Sequence, residues 1–210
     1  MTTAITKPKT RSTTLPAGTA RIRKGTVQLS RPKYDGLKIS RQDFLEWERE
    51  PDGWKYEWNN SIIEINERNM IFQEQYIVAN ILSAFNATKH YHNGNHLLAE
   101  VDCEFSETLI RRPDISYYTK EQIRLGRLNA HPVPEFVIEL VSKNDKLRAM
   151  HNKITEYFAH GVRCVWYIFP EEKRVDAYTS IKNVQICTDN DVCTTAPVLD
   201  FSMSIQEIFA

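Results

Sequence analysis

Glycine is scarce in this 210-residue chain, seven in all, and neither GxGxxG nor GxxxxGK[ST] occurs. The phosphate cradles of the dinucleotide and P-loop folds are therefore excluded. No apolar run approaches the roughly 18–20 residues that cross a bilayer. The N-terminus has Lys, Arg, Thr and Pro but no apolar h-region, so it does not read as a secretory signal, and a cytoplasmic protein without membrane partners is expected. Four cysteines (Cys103, Cys164, Cys187, Cys193) include no CxxC pair and no zinc-ribbon spacing. They read as inert thiols in a reducing compartment.

Acidic residues are absent from the first 34 positions, which carry eight basic ones (Lys7, Lys9, Arg11, Arg21, Arg23, Lys24, Arg31, Lys33). The whole chain balances at 27 Lys+Arg against 27 Asp+Glu, so the rest holds nineteen basic and 27 acidic residues, a net charge of −8. Neither a uniformly basic nucleic-acid coat nor a uniformly neutral molecule fits. Residues 1–34, rich in Thr and Pro, are expected to be a largely disordered basic extension, with residues 35–210 as a single domain. The 41% apolar share, with nine Phe, nine Tyr and four Trp in the chain, is ample for a core.

Ser40, with Asp43 three residues on, predicts a helix start ahead of Phe44, Leu45 and Trp47. Trp54–Trp58 and Ser61–Ile65 read as strands joined at Asn59-Asn60. A helix is expected over 70–88, then strands over Leu97–Phe105 and Pro113–Tyr118. Phe136–Val141 is an apolar strand broken by one carboxylate. Ser142–Asp145 supplies helix-start chemistry, with the Ser142 hydroxyl as cap, for a helix through Ala159 that ends at Gly161. Strands follow at Val165–Phe169 and Arg174–Tyr178, then weaker strands and a last short helix around Ile205–Phe209. The order predicts an α/β (α+β) fold around one mixed sheet flanked by helices.

Two carboxylates stand in apolar strands: Asp114 after Pro113, and Glu139 in the middle of Phe136–Val141. Burying them demands positive compensation, from a structural Arg or Lys or from a divalent cation. Two carboxylates, a strand carbonyl and waters suit Mg²⁺. A nearby Lys would complete a hydrolytic set, and Lys146, Lys153 and Tyr157 of the following helix are candidates; Lys153 and Tyr157 share one face at i,i+4. The histidines in Lys89–His96 lie in a Gly/Asn-rich connection and read as loop residues.

Arg112-Pro-Asp114-Ile-Ser-Tyr, Pro134-Glu-Phe-Val-Ile-Glu139-Leu-Val-Ser142-Lys-Asn-Asp145, Lys153-Ile-Thr-Glu156-Tyr157 and Gly161-Val162 with Val165-Trp166-Tyr-Ile together resemble the Uma-two family. These are restriction endonuclease-like proteins within the PD-(D/E)XK nuclease superfamily. Tyr56-Glu57-Trp-Asn-Asn-Ser-Ile-Ile-Glu64 resembles the family's opening hairpin, and the similarity runs from about residue 40 to about 180.

The resemblance implies a restriction-endonuclease-like core with Asp114 and Glu139 as Mg²⁺ ligands, Mn²⁺ as a substitute ion, and the Val141 main-chain carbonyl as a further ligand. The superfamily's usual Lys stands two positions after the Glu, where this chain has Val141; Lys153 matches the family's displaced Lys. Glu74 stands where the family commonly has His, either as a solvated helix residue or near the metal. Phe169 stands where the family often has Asp, a change at a turn.

The expected activity is Mg²⁺-dependent endonucleolytic hydrolysis of DNA, with Lys153 assisting the attacking water and Ser142 and Tyr157 in support. No small-molecule cofactor is expected, and a homodimer is. The alternative is a catalytically inactive nuclease-fold module that binds nucleic acid or protein. Because the body is acidic, phosphate contacts are expected to be local: the basic tail, Arg111 and Arg112, and Lys143 and Lys146.

Overall fold

The computed structural model describes residues 33–47, 54–67, 72–143 and 145–210, and Tyr34–Ala210 forms one compact unit. The expected disordered tail falls almost wholly outside the described residues. Helix α1 (Arg41–Glu46) starts where Ser40 predicts, its hydroxyl accepting from the Asp43 amide at 3.1 Å. Strands β1 (Trp54–Asn59) and β2 (Ile62–Glu67) form the expected hairpin, one residue out of the expected register. Asn59 pairs with Ile62, and the turn falls on Asn60 and Ser61, with φ of 48° and 68°. Two successive left-handed residues match the twist of the strands.

Helix α2 (Phe72–Asn86) follows, then the short α3 (Lys89–His92) in place of a plain loop, with Thr88 as its cap. His90 there meets the Asp200 carbonyl at 3.2 Å. The single strand expected over Leu97–Phe105 is two strands in two sheets, β3 (His96–Ala99) and β4 (Cys103–Ser106). Glu100, at φ 51°, turns the chain between them. Strand β5 (Leu109–Arg111), not anticipated, pairs with β4 and β1, giving a four-stranded sheet in the order β2-β1-β5-β4. Phe44, Tyr56, Trp58, Ile63 and Ile110 pack on one face of it.

Strand β6 (Ile115–Tyr118) leads into α4 (Lys120–Gly126), a helix not anticipated from the sequence although Thr119 and Gln122 form a full capping box. Then come β7 (Phe136–Leu140), α5 (Leu147–Ala159), β8 (Cys164–Phe169), β9 (Arg174–Ser180) and β10 (Asn183–Cys187). A small pair, β11 (Val192–Thr194) with β12 (Ser202–Ser204), and α6 (Ile205–Ile208) close the chain. The larger sheet runs β10-β9-β8-β7-β6-β3; β7 and β8 are its parallel pair, joined through α5, so the sheet is mixed as expected. Gly161, at φ 98°, ends α5 as predicted.

Alternation along the strands sorts the larger sheet into two faces. Phe136, Ile138, Trp166 and Ile168 join Ile77, Ile81 and Phe85 of α2 in one cluster. Val137, Val165 and Tyr167 join Ile154 and Tyr157 of α5 in the other. By the same parity Glu139 belongs with Val137 on the α5 face, and Asp114 with Ser116 and Tyr118. The Phe169 ring lies 4.0 Å from the Arg174 guanidinium across the β8–β9 pair, a cation–π contact. All four cysteines are buried and unbridged. Burial pushes Cys103 up to about 11 and Cys164 up to about 12, so both stay thiols.

Trp166 is fully buried, with its ring 5.3 Å from that of Phe136 and 6.3 Å from that of Phe201, and its indole N–H donates to the Thr194 carbonyl at 3.2 Å. Trp166→Ala is expected to cost about 3–5 kcal/mol, read from the urea-unfolding midpoint.

Candidate active site

The ladder of β6 and β7 sets Ile115 opposite Ile138, so continuing it by one residue sets Asp114 opposite Glu139. The Leu140 amide donates to Asp114 Oδ2 at 2.6 Å, which ties the first carboxylate to the strand carrying the second. Both lie at the β6–β7 pair inside the larger sheet, on the face that meets Lys55 of the hairpin.

Strand β1 completes the site. Tyr56 and Trp58 point into the small sheet's own core, so Lys55 and Glu57 point the other way, toward the larger sheet. Lys55 Nζ donates to Asp114 Oδ1 at 2.8 Å and to Glu139 Oε2 at 3.4 Å. Lys153 Nζ, from α5, donates to Glu57 Oε1 at 3.0 Å and to Glu139 Oε1 at 3.3 Å. One turn further along the same face, the Tyr157 hydroxyl donates to Glu139 Oε1. The structure thus brings together four residues singled out from the sequence: Asp114, Glu139, Lys153 and Tyr157.

Sequence reasoning misses Lys55 and Glu57. Their signal is the alternation in Trp54-Lys-Tyr-Glu-Trp, where the polar face looks solvent-directed. Lys55 is only 6% exposed and Glu57 0%, because that face is covered by the larger sheet and α5.

Arg111 is corrected: it is 1% exposed and not a phosphate contact. Its guanidinium donates to Glu57 Oε2 at 3.1 Å, to Glu64 and, at 2.6 Å, to Glu156 Oε2, joining the hairpin to α5. Arg112 is likewise taken up, in a bidentate pair with Asp102 at 2.7 Å on both arms. Lys143 and Lys146 are exposed, Lys143 beside Glu171. The expected Ser142 cap is also corrected. Helix α5 begins at Leu147 behind Lys146, and the Ser142 amide donates to Asp145 Oδ2 at 2.8 Å in a turn ahead of it. Ser142, Val141 and Glu74 line the cleft that opens onto Asp114 and Glu139, together with Asn66, Glu100 and Tyr167.

Electrostatics follow from this packing. Burial alone would raise the Glu57 carboxyl, but Lys153, Arg111 and Lys55 overcome it and hold the group down to about 2. Burial would lower the Lys153 ammonium, and Glu139 and Glu57 reverse this, so Lys153 is a fixed cation. Burial pushes Tyr157 well above its usual value, aided by Glu139 and Glu57, so it acts as a phenol donor.

The donor set fits a divalent cation. Asp114 Oδ1 and Glu139 Oε2 converge on one cationic point, held here by Lys55, and hard oxygens of this kind suit Mg²⁺ with few protein ligands. Among the described residues no group of three or more His, Cys, Asp or Glu forms a metal cage by itself.

A mixed sheet flanked by helices, with paired carboxylates on neighbouring strands and a cleft beside them, defines a restriction-endonuclease-like fold. The chain belongs to the Uma2 family, described as "putative restriction endonuclease", whose model matches residues 41–206. The fold is also that of a crystal structure from Anabaena variabilis ATCC 29413, described as "a putative nuclease belonging to DUF820". The TM-score is 0.67 at 20% identity, over 81% of this chain and 97% of that one. No curated protein shows significant similarity to the chain. Among the described residues no helix is long and apolar enough to cross a membrane.

Glu57 yields a pH prediction. Its folded value lies below its ordinary 4.5, so its contribution to stability is complete above about 4.5 and is lost as pH falls toward about 2. Glu57→Gln is expected to be less stable than the parent above that window, with the gap closing across it in urea unfolding at stepped pH.

Proposed function

We propose that the protein is a Mg²⁺-dependent endonuclease of the PD-(D/E)XK kind that hydrolyses DNA phosphodiester bonds in this cleft, with Mn²⁺ able to substitute. The observation that carries this reading is the convergence of Asp114 Oδ1 and Glu139 Oε2 on one cation, at the edge of an open cleft and beside a fixed Lys153. Asp114 and Glu139 would hold the ion, with the Val141 carbonyl as a further ligand and Glu74 approaching from α2. Bound Mg²⁺ supplies Lewis acidity, drawing charge from a phosphoryl oxygen and raising the nucleophilicity of water at neutral pH.

The chain's own residues supply position and charge. Lys153, protonated and gripped by Glu57 and Glu139, orients the attacking water or stabilises charge gathering on the phosphate, and does not serve as a base. Tyr157 fixes the rotamer of Glu139 by its hydrogen bond, and Ser142 lines the approach. Lys143 and Lys146, exposed in the turn ahead of α5, would add phosphate contacts, with the basic tail adding to them. Two such sites would cut both strands of a duplex in one encounter, so the reading includes a homodimer.

Two observations favour a second reading, a nuclease-fold module that binds without cutting. The buried carboxylates are already answered by Lys55, Lys153 and Arg111, and Val141 stands where the superfamily's usual Lys would.

Nicking of supercoiled plasmid with Mg²⁺ or Mn²⁺ separates the two. Glu139→Ala and Lys153→Ala are each expected to lower the rate about 100-fold or more. Activity that survives both substitutions discards the site, and metal-insensitive DNA binding with no cleavage by the parent selects the module. Deleting residues 1–34 should weaken DNA affinity and flatten its salt dependence, by about 0.9 in log–log slope for each phosphate that the tail neutralises. An unchanged slope in a fluorescence-anisotropy titration removes the tail from the interface.

A further inference from the structure

We propose that Lys55 is a built-in competitor for the divalent-cation site: its ammonium bridges Asp114 and Glu139, and a metal ion binds only as Lys55 turns away from them. This rests on the metal-dependent reading above and concerns a residue that reading leaves without a role.

The geometry makes the two cations exclusive. Lys55 Nζ stands 2.8 Å from Asp114 Oδ1 and 3.4 Å from Glu139 Oε2, the oxygens that converge on the proposed ion. Mg²⁺ bonds oxygen at about 2.0–2.1 Å, so it takes the space between those oxygens and sets its own charge against the ammonium at close range.

Charge points the same way. Of the buried groups, Glu57, Asp114 and Glu139 are answered by Lys55, Lys153 and Arg111, and Arg111 is shared with the partly exposed Glu64 and Glu156. At Asp114 and Glu139 the ammonium of Lys55 is the charge that an incoming ion would replace.

Of the three cations Lys55 is the one suited to leave. Arg111 is clamped by Glu57, Glu64 and Glu156, and Lys153 ties Glu139 to Glu57 across the two sheets. Lys55 instead ends on both proposed ligands and, like Lys153, borders the open cleft, whose other lining includes Asn66, Glu74 and Glu100. A flexible four-carbon stem lets its head turn while its Cα stays in the β1–β2 ladder.

The test is Mn²⁺ binding to the full chain, followed by electron paramagnetic resonance of free Mn²⁺, with thermal unfolding in EDTA and in Mn²⁺ alongside. Lys55→Met keeps the stem and removes the charge. It is expected to bind Mn²⁺ about tenfold or more tightly than the parent, and to unfold at a lower temperature in EDTA with a larger rise on adding Mn²⁺. Lys55→Arg keeps the charge with a two-pronged grip on carboxylates, and is expected to bind Mn²⁺ several-fold more weakly than the parent.

Equal or weaker binding by a folded Lys55→Met overturns the proposal. Should Lys55→Met fail to fold with or without Mn²⁺, equal or tighter binding by Lys55→Arg overturns it. Asp114→Asn separates this failure from that of the underlying reading. Parent binding that Asp114→Asn abolishes, with no gain in Lys55→Met, removes only the role of Lys55. Absence of binding in both parent and Lys55→Met removes the metal site as well.

Discussion

Three carboxylates with almost no access to water meet where two sheets and a helix come together, and three cations answer them. Everything else about the domain arranges that meeting. Glu57 comes from the hairpin, Asp114 and Glu139 from neighbouring strands of the larger sheet, Lys55 from the hairpin, Arg111 from β5 and Lys153 from α5. No one of these charges would be tolerated in its place without the others, because an isolated buried ion costs several kcal/mol. The network is therefore a registry device as well as a site: it admits one docking of hairpin on sheet and one rotation of α5.

That dependence explains how much of the site is legible in the sequence. The carboxylates Asp114 and Glu139 are visible because each interrupts an apolar strand, and Lys153 and Tyr157 because i,i+4 spacing puts them on one helical face. The polar face of β1 is not visible. Alternation states which side chains share a face, but not what that face meets, and a Lys-x-Glu alternation usually meets solvent. Arg111 misleads for the same reason. A pair of arginines beside a candidate ligand looks like a phosphate contact until the fold turns one inward onto Glu57, Glu64 and Glu156 and the other onto Asp102.

Local departures have local causes. The break at Glu100 is a single left-handed residue inside a run that otherwise alternates well, and it sends β3 and β4 to different sheets. Strand β5 is three residues long, too short for periodicity to show. The start of α5 illustrates competition between motifs. Ser142 and Asp145 carry helix-start chemistry, yet they use it in a turn with each other, and the helix begins without a side-chain cap hydrogen bond at Lys146.

The wide spacing of these charges along the chain bears on synthesis and folding. Lys55 reaches Glu139 across 84 positions, and Glu57 reaches Lys153 across 96. Such contacts close slowly, after local helices and hairpins have formed. A nascent or partly folded chain holds the separate strands without the pocket they make together. Whatever chemistry the cleft performs is withheld until the last of α5 has been translated and docked.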